Sequence, residues 1–182
     1  GSAGTSKFTI AAWVKVISSG EGDRGTIVQF GGQDPTVTDS RGIRLFTYTG
    51  LLGDAAGYRT NAIGFRVDYD ENDYVATTNG GVYESDEWFH IAVTHDASSC
   101  DNSAKIFING NEVEISQQHP SNNNPAMGEF LGISGGYQSS CIVGNAATND
   151  TQLNRLFDGE IHGLAVWDSI LSEESIRAVY HN

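Results

Sequence analysis

The densest group of side chains that could do chemistry in this 182-residue chain is the acidic segment 68–73, DYDEND. Its carboxylates belong to Asp68, Asp70, Glu71 and Asp73, and a calcium ion in a protein takes about six to eight oxygen ligands. The same residue types are favoured at the tip of a β-hairpin, because Asp and Asn side chains bond to the neighbouring backbone. The segment is therefore either a calcium site or a turn, and residue types alone leave both open.

The remaining reactive residues form no recognised catalytic pattern. The sequence contains no Gly-x-Ser-x-Gly, no His-Glu-x-x-His and no glycine-rich phosphate loop. His90 and His95 are the closest pair of histidines. Because side chains alternate along a strand, an odd separation places these two on opposite faces. Isolated structural histidines are the simpler interpretation.

The stretch Glu87–Ile115 predicts two strands joined by a tight hairpin. Its apolar residues alternate, so that one face holds Phe89, Ile91 and Val93, and the other holds Trp88, His90, Ala92 and Thr94. The dipeptide Asn109-Gly110 tolerates the positive φ angles of a type I′ turn. A returning strand is expected over Asn111–Ile115.

Further strands are predicted where apolar residues alternate, namely over Phe8–Val16, 26–30, 43–48, 63–67 and the closing segment 157–168. A short helix is predicted after Ser172, whose hydroxyl can cap its first turn. Ile176, Val179 and Tyr180 then form one apolar stripe. The segments Gly50–Asn61 and Ser116–Pro125 show no strand pattern and are predicted to be irregular.

Three blocks spread over nearly the whole chain carry a family resemblance. They are FTIAAWVKV at Phe8–Val16, the Trp88–Asp96 strand with the later Asn109-Gly110, and FDGEI at Phe157–Ile161 followed by LAVWD and LSEESI. Together they resemble the laminin-G-like branch of the concanavalin A-like lectins, a group that includes the pentraxins. The resemblance implies an all-β fold, a two-sheet antiparallel jelly-roll sandwich with a short C-terminal helix, and one domain over residues 1–182.

The same resemblance implies a non-catalytic recognition module, extracellular or on a cell surface, within a larger protein. The leading hypothesis is a carbohydrate-binding, lectin-like domain, and the alternative is a protein–protein adhesion module or structural spacer of an adhesin. Glucanases of this fold carry Glu-x-Asp-x-x-Glu along one strand, which places two carboxylates about 5 Å apart. The nearest fragment here, Glu84–Glu87, lacks the last carboxylate, so no enzymatic activity is expected.

Sugar binding in this fold uses aromatic side chains in loops, with Asn and Asp for the sugar hydroxyls. Tyr58 and Tyr137 stand in glycine-rich segments and are the first candidates for stacking on a sugar ring. Asn61 and Asp54, from the same segment as Tyr58, are the candidate partners of the hydroxyls.

A calcium site is implied by the pentraxin-like relatives, in which the loop after an apolar-Gly strand end carries acid and amide ligands. Val143-Gly144 ends such a strand here. The ligands that the resemblance implies are Asn145, Asn149, Asp150 and Asp158. An Asx-rich turn that holds only water is the alternative for the same loop.

Two cysteines, Cys100 and Cys141, lie beside predicted strands. A disulfide between them would close a loop of about 40 residues and stabilise the fold by about 4 kcal/mol. The extracellular character of the family favours this disulfide and an oxidising compartment. A pair of free thiols remains the alternative.

The charge of the chain limits its partners. Ten Lys and Arg face 23 Asp and Glu, for a formal net charge of −13. Nucleic acid and anionic membrane surfaces are therefore not expected as partners, because phosphates attract Lys and Arg. Calcium is compatible with this charge, although an acidic surface also simply favours solubility. No apolar run is long enough to insert into a membrane, and Gly1–Gly4 are consistent with a cloning remnant.

Overall fold

The computed structural model describes residues 6–33, 40–51, 58–69, 73–98, 102–119, 130, 141–149, 152–153 and 155–182. In chain order the described elements are β1 (Lys7–Val16), a 3₁₀ turn (Glu21–Asp23), β2 (Thr26–Gln33), β3 (Ser40–Leu51), β4 (Tyr58–Asp68), β5 (Asp73–Thr78), β6 (Trp88–Asp96), β7 (Lys105–Ile108), β8 (Asn111–Val113), β9 (Ile115–His119), β10 (Cys141–Val143), β11 (Ala147–Asn149), β12 (Gln152–Leu153), β13 (Gly159–Trp167) and α1 (Glu173–His181).

These strands form two main antiparallel sheets. One sheet has the order β13-β1-β6-β7-β8, the other has the order β10-β2-β3-β4-β5-β9, and β11 pairs with β12 separately. The chain passes from the first sheet to the second at Glu114, between β8 and β9. The prediction of an all-β, two-sheet sandwich with a short C-terminal helix is confirmed.

The core lies between the inner faces of the two sheets. Phe89, Ile91 and Val93 of β6 are buried there, as their alternation predicts, and face Leu45 and Phe65 of the other sheet within one cluster. Fully burying one such side chain contributes about 1.5–3 kcal/mol. Because every second residue of β6 serves this core, the intervening residues must point to the outer face of the sheet.

Helix α1 covers part of that outer face. Ile176 is buried against Ala11, Ala92 and Phe107, which lie on β1, β6 and β7. The Ser172 hydroxyl accepts a hydrogen bond from the backbone N–H of Ser175 at 3.2 Å, so the predicted cap is confirmed. In the described part of the chain no helix is both long enough and apolar enough to cross a membrane.

The hairpin between β7 and β8 has the predicted type I′ geometry. Asn109 has φ 50° and Gly110 has φ 76°. The Asn109 carboxamide oxygen accepts a hydrogen bond from the backbone N–H of His90 at 2.8 Å, and the Asn109 N–H donates to the His90 carbonyl at 2.8 Å. The turn is thereby fixed to the neighbouring strand β6.

Two segments predicted to be irregular contain strand. β3 continues to Leu51 and β4 begins at Tyr58, and these two residues are directly paired, so the prediction of a loop over the whole of Gly50–Asn61 is wrong. β9 takes Ile115–His119 and pairs with β5. In both places ladder hydrogen bonds with a neighbouring strand outweigh the weak local preference of Gly, Gln and Asn for strand.

His95 is a core residue. Its ring stacks on Tyr74 at a centroid distance of 4.7 Å, and its Nε2 lies 3.2 Å from the Tyr69 hydroxyl. His90 lies on the other face of β6, where its ring packs against Trp13. The prediction that these two histidines lie on opposite faces of one strand is confirmed.

The turn geometry gives a first testable prediction. Gly110→Ala is expected to lower the free energy of unfolding more than Gly81→Ala does. Both glycines have positive φ, 76° and 73°, so both variants carry a left-handed strain of about 1–2 kcal/mol. A Cβ on Gly110 would also lie 3.2 Å from Cγ of Arg177, whereas no described atom lies within 4 Å of that position on Gly81. Urea denaturation measures both values, and equal losses would contradict the packing of this turn against α1.

His95 makes stability depend on pH. Burial lowers the pKa of His95 from 6.5 to about 4, so the unfolded chain binds the proton more tightly than the folded one. The stability that neutral His95 contributes is therefore present above pH 6.5 and is lost as the pH falls towards 4. At about 1.4 kcal/mol per pH unit, the loss amounts to about 3 kcal/mol.

Asp68 acts in the opposite direction, because burial raises its pKa to about 6 and its protonation on acidification favours the folded state. The variant His95→Gln separates the two effects, since glutamine keeps a polar group near Tyr69 but does not titrate. Its free energy of unfolding, from urea denaturation, is expected to fall less than that of the wild type between pH 6.5 and 4.5. Equal losses in the two proteins would show that His95 is not held neutral.

Candidate functional site

Two groups of side chains outside the core form candidate binding surfaces, one on the outer face of each main sheet. The first, the aromatic cavity, is lined by Trp13, Trp88 and His162 on the five-stranded sheet. The second, the arginine cluster, consists of Arg24, Arg44, Arg66 and Arg155 at the six-stranded sheet.

Strand pairing brings the lining residues of the aromatic cavity together. Trp13 of β1 lies directly opposite His162 of β13 and His90 of β6, and paired residues of antiparallel strands share a face. The register between β1 and β13 shifts next to Trp13, where Gly163 has φ 63°. This β-bulge turns His162 onto the same face as Trp13. Trp88 follows in the next row of β6.

The cavity has a volume of about 290 Å³, and Trp88 is 43% exposed at its edge. The Trp13 ring is held from two sides, by Tyr180 of α1 at a centroid distance of 5.4 Å and by His90 at 5.5 Å. Packing therefore fixes one wall of the cavity in the protein without ligand. This reduces the side-chain conformational entropy that is lost on binding.

Charged groups border the cavity. Lys15, directly opposite Trp88, lies 2.9 Å from a carboxylate oxygen of Asp86 and 3.5 Å from one of Glu160. The hydrogen bond that the Lys15 ammonium donates to Asp86 is the main reason that the pKa of Lys15 is raised, so the amine stays protonated. The cavity thus combines apolar walls with hydrogen-bond donors and acceptors at its rim.

The arginine cluster also depends on strand register. Arg44 of β3 lies directly opposite Gln29 of β2 and Arg66 of β4, so these side chains form one row across the outer face of the six-stranded sheet. The Arg44 guanidinium lies 5.2 Å from the centre of the Phe46 ring. The Arg24 guanidinium lies 5.5 Å from the centre of the buried Tyr48 ring.

Arg66 is neutralised by carboxylates of its own hairpin. Its Nε lies 2.6 Å from Asp68, and one of its terminal nitrogens lies 2.7 Å from Asp73. Asp68 and Asp73 are directly paired across β4 and β5, which places both carboxylates of the acidic segment beside Arg66. Asp70 and Glu71 of that segment lie outside the described residues.

Arg44 differs from Arg66 in having no carboxylate partner among the described residues. Its Nε is buried and forms no hydrogen bond there. Burial lowers the pKa of Arg44 to about 10. The positive charges of Arg66, Arg24 and Arg155 act in the same direction, and the Asp68 carboxylate acts against them. The cluster is therefore a local excess of positive charge in a chain with a net charge of −13.

The predicted sugar-binding residues are not brought together in the described part of the chain. Tyr58 begins strand β4 instead of standing in a loop. Asn61, at φ 54°, donates a hydrogen bond from its carboxamide to the Tyr83 carbonyl at 3.0 Å, which stabilises the local backbone. Asp54 and Tyr137 lie outside the described residues. The role of these four residues in ligand binding stays a prediction.

Two ligands of the predicted calcium loop, Asn145 and Asp158, form hydrogen bonds within the protein. The Asn145 carboxamide oxygen already accepts the backbone N–H groups of Ala146 at 2.8 Å and Arg155 at 3.1 Å. Asp158 accepts the Ser18 hydroxyl at 2.6 Å. Within the described ranges no three His, Cys, Asp or Glu side chains form a metal-binding group.

Asn149 ends β11, and Asp150 lies outside the described residues. Calcium binding by this loop therefore stays a prediction that depends on those two residues. Cys141 of β10 has an exposed thiol that is free in the structure, and burial of part of the side chain raises its pKa. Because Cys100 lies outside the described residues, its pairing with Cys141 also stays a prediction.

Sequence reasoning missed both surfaces. The alternation of β6 placed Trp88 on the face away from the core, which was a usable signal. The partners of Trp88 come from strands at the two ends of the chain, β1 and β13, whose pairing no local pattern reveals. The arginines likewise come from two strands, β3 and β4, and from two segments outside the strands that are far apart in the sequence, so only the folded chain makes them neighbours.

Comparison with known proteins identifies the fold. The profile of the concanavalin A-like lectin/glucanases superfamily matches residues 1–177. A structure titled Ruminococcus gnavus IT-sialidase CBM40 bound to alpha2,3 sialyllactose has 18% identity and a TM-score of 0.68, over 97% of this chain and 83% of that chain. No curated protein sequence matches significantly.

Two further structures share the fold at lower similarity. The heptameric SAP-like pentraxin of Limulus polyphemus has 14% identity and a TM-score of 0.58, over 98% of this chain and 71% of that chain. The binding domain of botulinum neurotoxin serotype C1 has 15% identity and a TM-score of 0.57, over 96% of this chain and 36% of that chain. At these identities the likeness extends to the fold alone.

The calcium prediction is tested by thermal melts in calcium and in EDTA. A bound ion stabilises the folded state by RT ln(1 + [L]/Kd), so saturating calcium is expected to raise the melting temperature of the wild type. Asp150→Ala is expected to remove that rise. Glu174→Ala serves as the control, because it removes the same single negative charge from an exposed position in the first turn of α1, outside this loop, and should leave the calcium response unchanged. Identical melting temperatures of the wild type in both buffers would show that this loop does not bind calcium.

Proposed function

Because the chain belongs to the concanavalin A-like lectin/glucanase superfamily, we propose that it is a non-catalytic carbohydrate-binding module with its sugar site at the aromatic cavity. The observation that carries this proposal is the placement of Trp13 and Trp88 around one preformed cavity on a rigid sheet. Sites on strands hold their side chains more firmly than sites on loops.

The chemistry of the cavity suits a sugar ring. Small-molecule sites are concave, mostly apolar, and carry a few polar groups that fix the orientation of the ligand. The indole faces of Trp13 and Trp88 offer apolar area to the C–H face of a pyranose, and both indole N–H groups are donors. His162, Lys15 and Glu160 supply further donors and acceptors for hydroxyl groups. The volume of about 290 Å³ suits one or two sugar units, being at the small end of ligand sites.

Solved structures of the same fold support glycans as the ligand class. The CBM40 structures of Ruminococcus gnavus are described as bound to alpha2,3 and to alpha2,6 sialyllactose. Those ligands belong to that module, and its 18% identity to this chain carries no ligand across by itself. They support the proposal because a module with the same sandwich fold is bound to a sugar in those structures.

A non-catalytic role is supported by the groups around the cavity. Glycoside hydrolysis uses two carboxyl groups that flank the scissile bond, about 5–5.5 Å apart in retaining enzymes. No described carboxylate lines the cavity, and the two at its rim, Asp86 and Glu160, both form ion pairs with Lys15. A surface protein as the ligand, in place of a glycan, is the alternative that the binding experiments test. The extracellular location that the family resemblance implies stays a prediction.

The proposal predicts that Trp88→Ala weakens binding to a glycan identified on an array by about tenfold or more, which is about 1.4 kcal/mol. The reason is the loss of one apolar wall of the cavity. Ile170→Ala is the matched control, because Ile170 is likewise 43% exposed but does not line the cavity. Titration calorimetry with the selected oligosaccharide measures both affinities.

Two results would count against the proposal. If the wild type binds no glycan, the protein–protein alternative is favoured. If it binds a neutral glycan and Trp88→Ala keeps the wild-type affinity, the sugar site lies elsewhere. Quenching of tryptophan fluorescence by the oligosaccharide in the Trp167→Phe background offers an independent readout, because Trp13 and Trp88 are then the tryptophans that remain.

A further inference from the structure

We propose that the arginine cluster on the six-stranded sheet is a second binding site, and that it takes the carboxylate or sulfate group of an acidic glycan. The inference rests on the proposed carbohydrate-binding function for the identity of the ligand. It concerns a different surface, since the arginine cluster and the aromatic cavity lie on the outer faces of different sheets.

The first support is the uneven distribution of positive charge. The chain has only ten Lys and Arg against 23 Asp and Glu. Arg66, Arg24 and Arg155 nevertheless lie close enough to Arg44 to disfavour its charged form. Asp68 and Asp73 balance Arg66, whereas Arg44, Arg24 and Arg155 form no described ion pair. Repulsion among these three charges opposes folding and points to a ligand of opposite charge.

The second support is the contrast between two arginines in the same row. Arg66 and Arg44 are directly opposite each other on β4 and β3. Arg66 is held by Asp68 and Asp73, whereas Arg44 has no described ion pair and keeps a buried, unbonded Nε. A buried polar atom without a partner is costly, and a bound anion would supply an acceptor for Arg44 Nε.

The third support is the geometry of the guanidinium groups. Arg44 lies over the Phe46 ring and Arg24 lies over the Tyr48 ring, so aromatic faces limit the orientations of both side chains. The Phe46 ring in turn packs directly on Gly64, where a Cβ would lie 2.3 Å from it. A planar guanidinium held in this way donates two parallel hydrogen bonds to a carboxylate or sulfate.

The experiment compares binding to neutral, carboxylated and sulfated forms of the same oligosaccharide on a glycan array. The proteins are the wild type, Arg44→Gln, Arg24→Gln and the control Arg177→Gln. Arg177 is exposed on α1 and pairs with Glu173, so its loss removes the same single charge far from the proposed site. Variation of the salt concentration is not a clean test here, because salt screens both the attraction to the cluster and the repulsion from the net charge of −13.

We expect the wild type to bind at least one acidic form more tightly than the neutral form. Arg44→Gln and Arg24→Gln are each expected to weaken that binding about tenfold or more, and Arg177→Gln less than about twofold. Binding of the neutral form should be the same in all four proteins. Preference for the carboxylated or for the sulfated form distinguishes the two sources of negative charge.

Three results would overturn the inference. Equal weakening by Arg177→Gln would show that only the net charge matters. Binding of the neutral form with no gain from acidic groups would leave the proposed function standing and remove the second site. No binding to any glycan would overturn the proposed function as well. Arg24→Gln keeps the test decisive if Arg44→Gln unfolds, and melting temperatures of all variants establish which of them are folded.

Discussion

The whole structure depends on the burial of strands β1 and β6 on both of their faces. Their inward residues, such as Val14 and Ile91, build the core between the sheets, while Ala11 and Ala92 contact helix α1 on the outside. A shift of either strand by one residue would exchange the two sets and bury charged Lys15 in the core. The register of this strand pair is therefore strongly specified, and it is the same register that places Trp13, His90 and Trp88 on one outer face.

Local patterns were sufficient to predict the elements but not the surfaces. The Asn109-Gly110 turn, the Ser172 cap and the alternation of β6 could be read from the sequence because each depends on residues within a few positions of one another. Tyr58 could not be placed correctly, because the extension of β3 and β4 depends on pairing that compensates for the glycines nearby. His162 could not be connected to Trp13 at all, since their contact requires the first and last strands to be neighbours and a bulge at Gly163.

Electrostatics separates the groups that maintain the fold from those that are available to a ligand. Asp68, Arg66 and Asp73 form a closed set in which each charge has a partner, and Lys15 is held by Asp86 and Glu160 in the same manner. Such partly exposed ion pairs add little to the stability of the fold. Because their charges already have partners within the protein, they do not require a bound ion. Arg44 departs from this pattern. A group that raises the free energy of the folded state without a structural partner is more simply understood as part of a binding site than as part of the scaffold.

The sandwich also determines how the two surfaces can act together. Stacked sheets lie about 10 Å apart, and the side chains between them pack at the density of an organic crystal. Val93 and Phe65 belong to that common core, with neither exposed, so no described polar network connects the arginine cluster to the aromatic cavity. Sites at such a separation without shared partners contribute additively. Each surface must therefore supply its own affinity, and a single sugar unit cannot contact both. Joint action requires a branched or extended glycan, or two glycans, one on each face of the module.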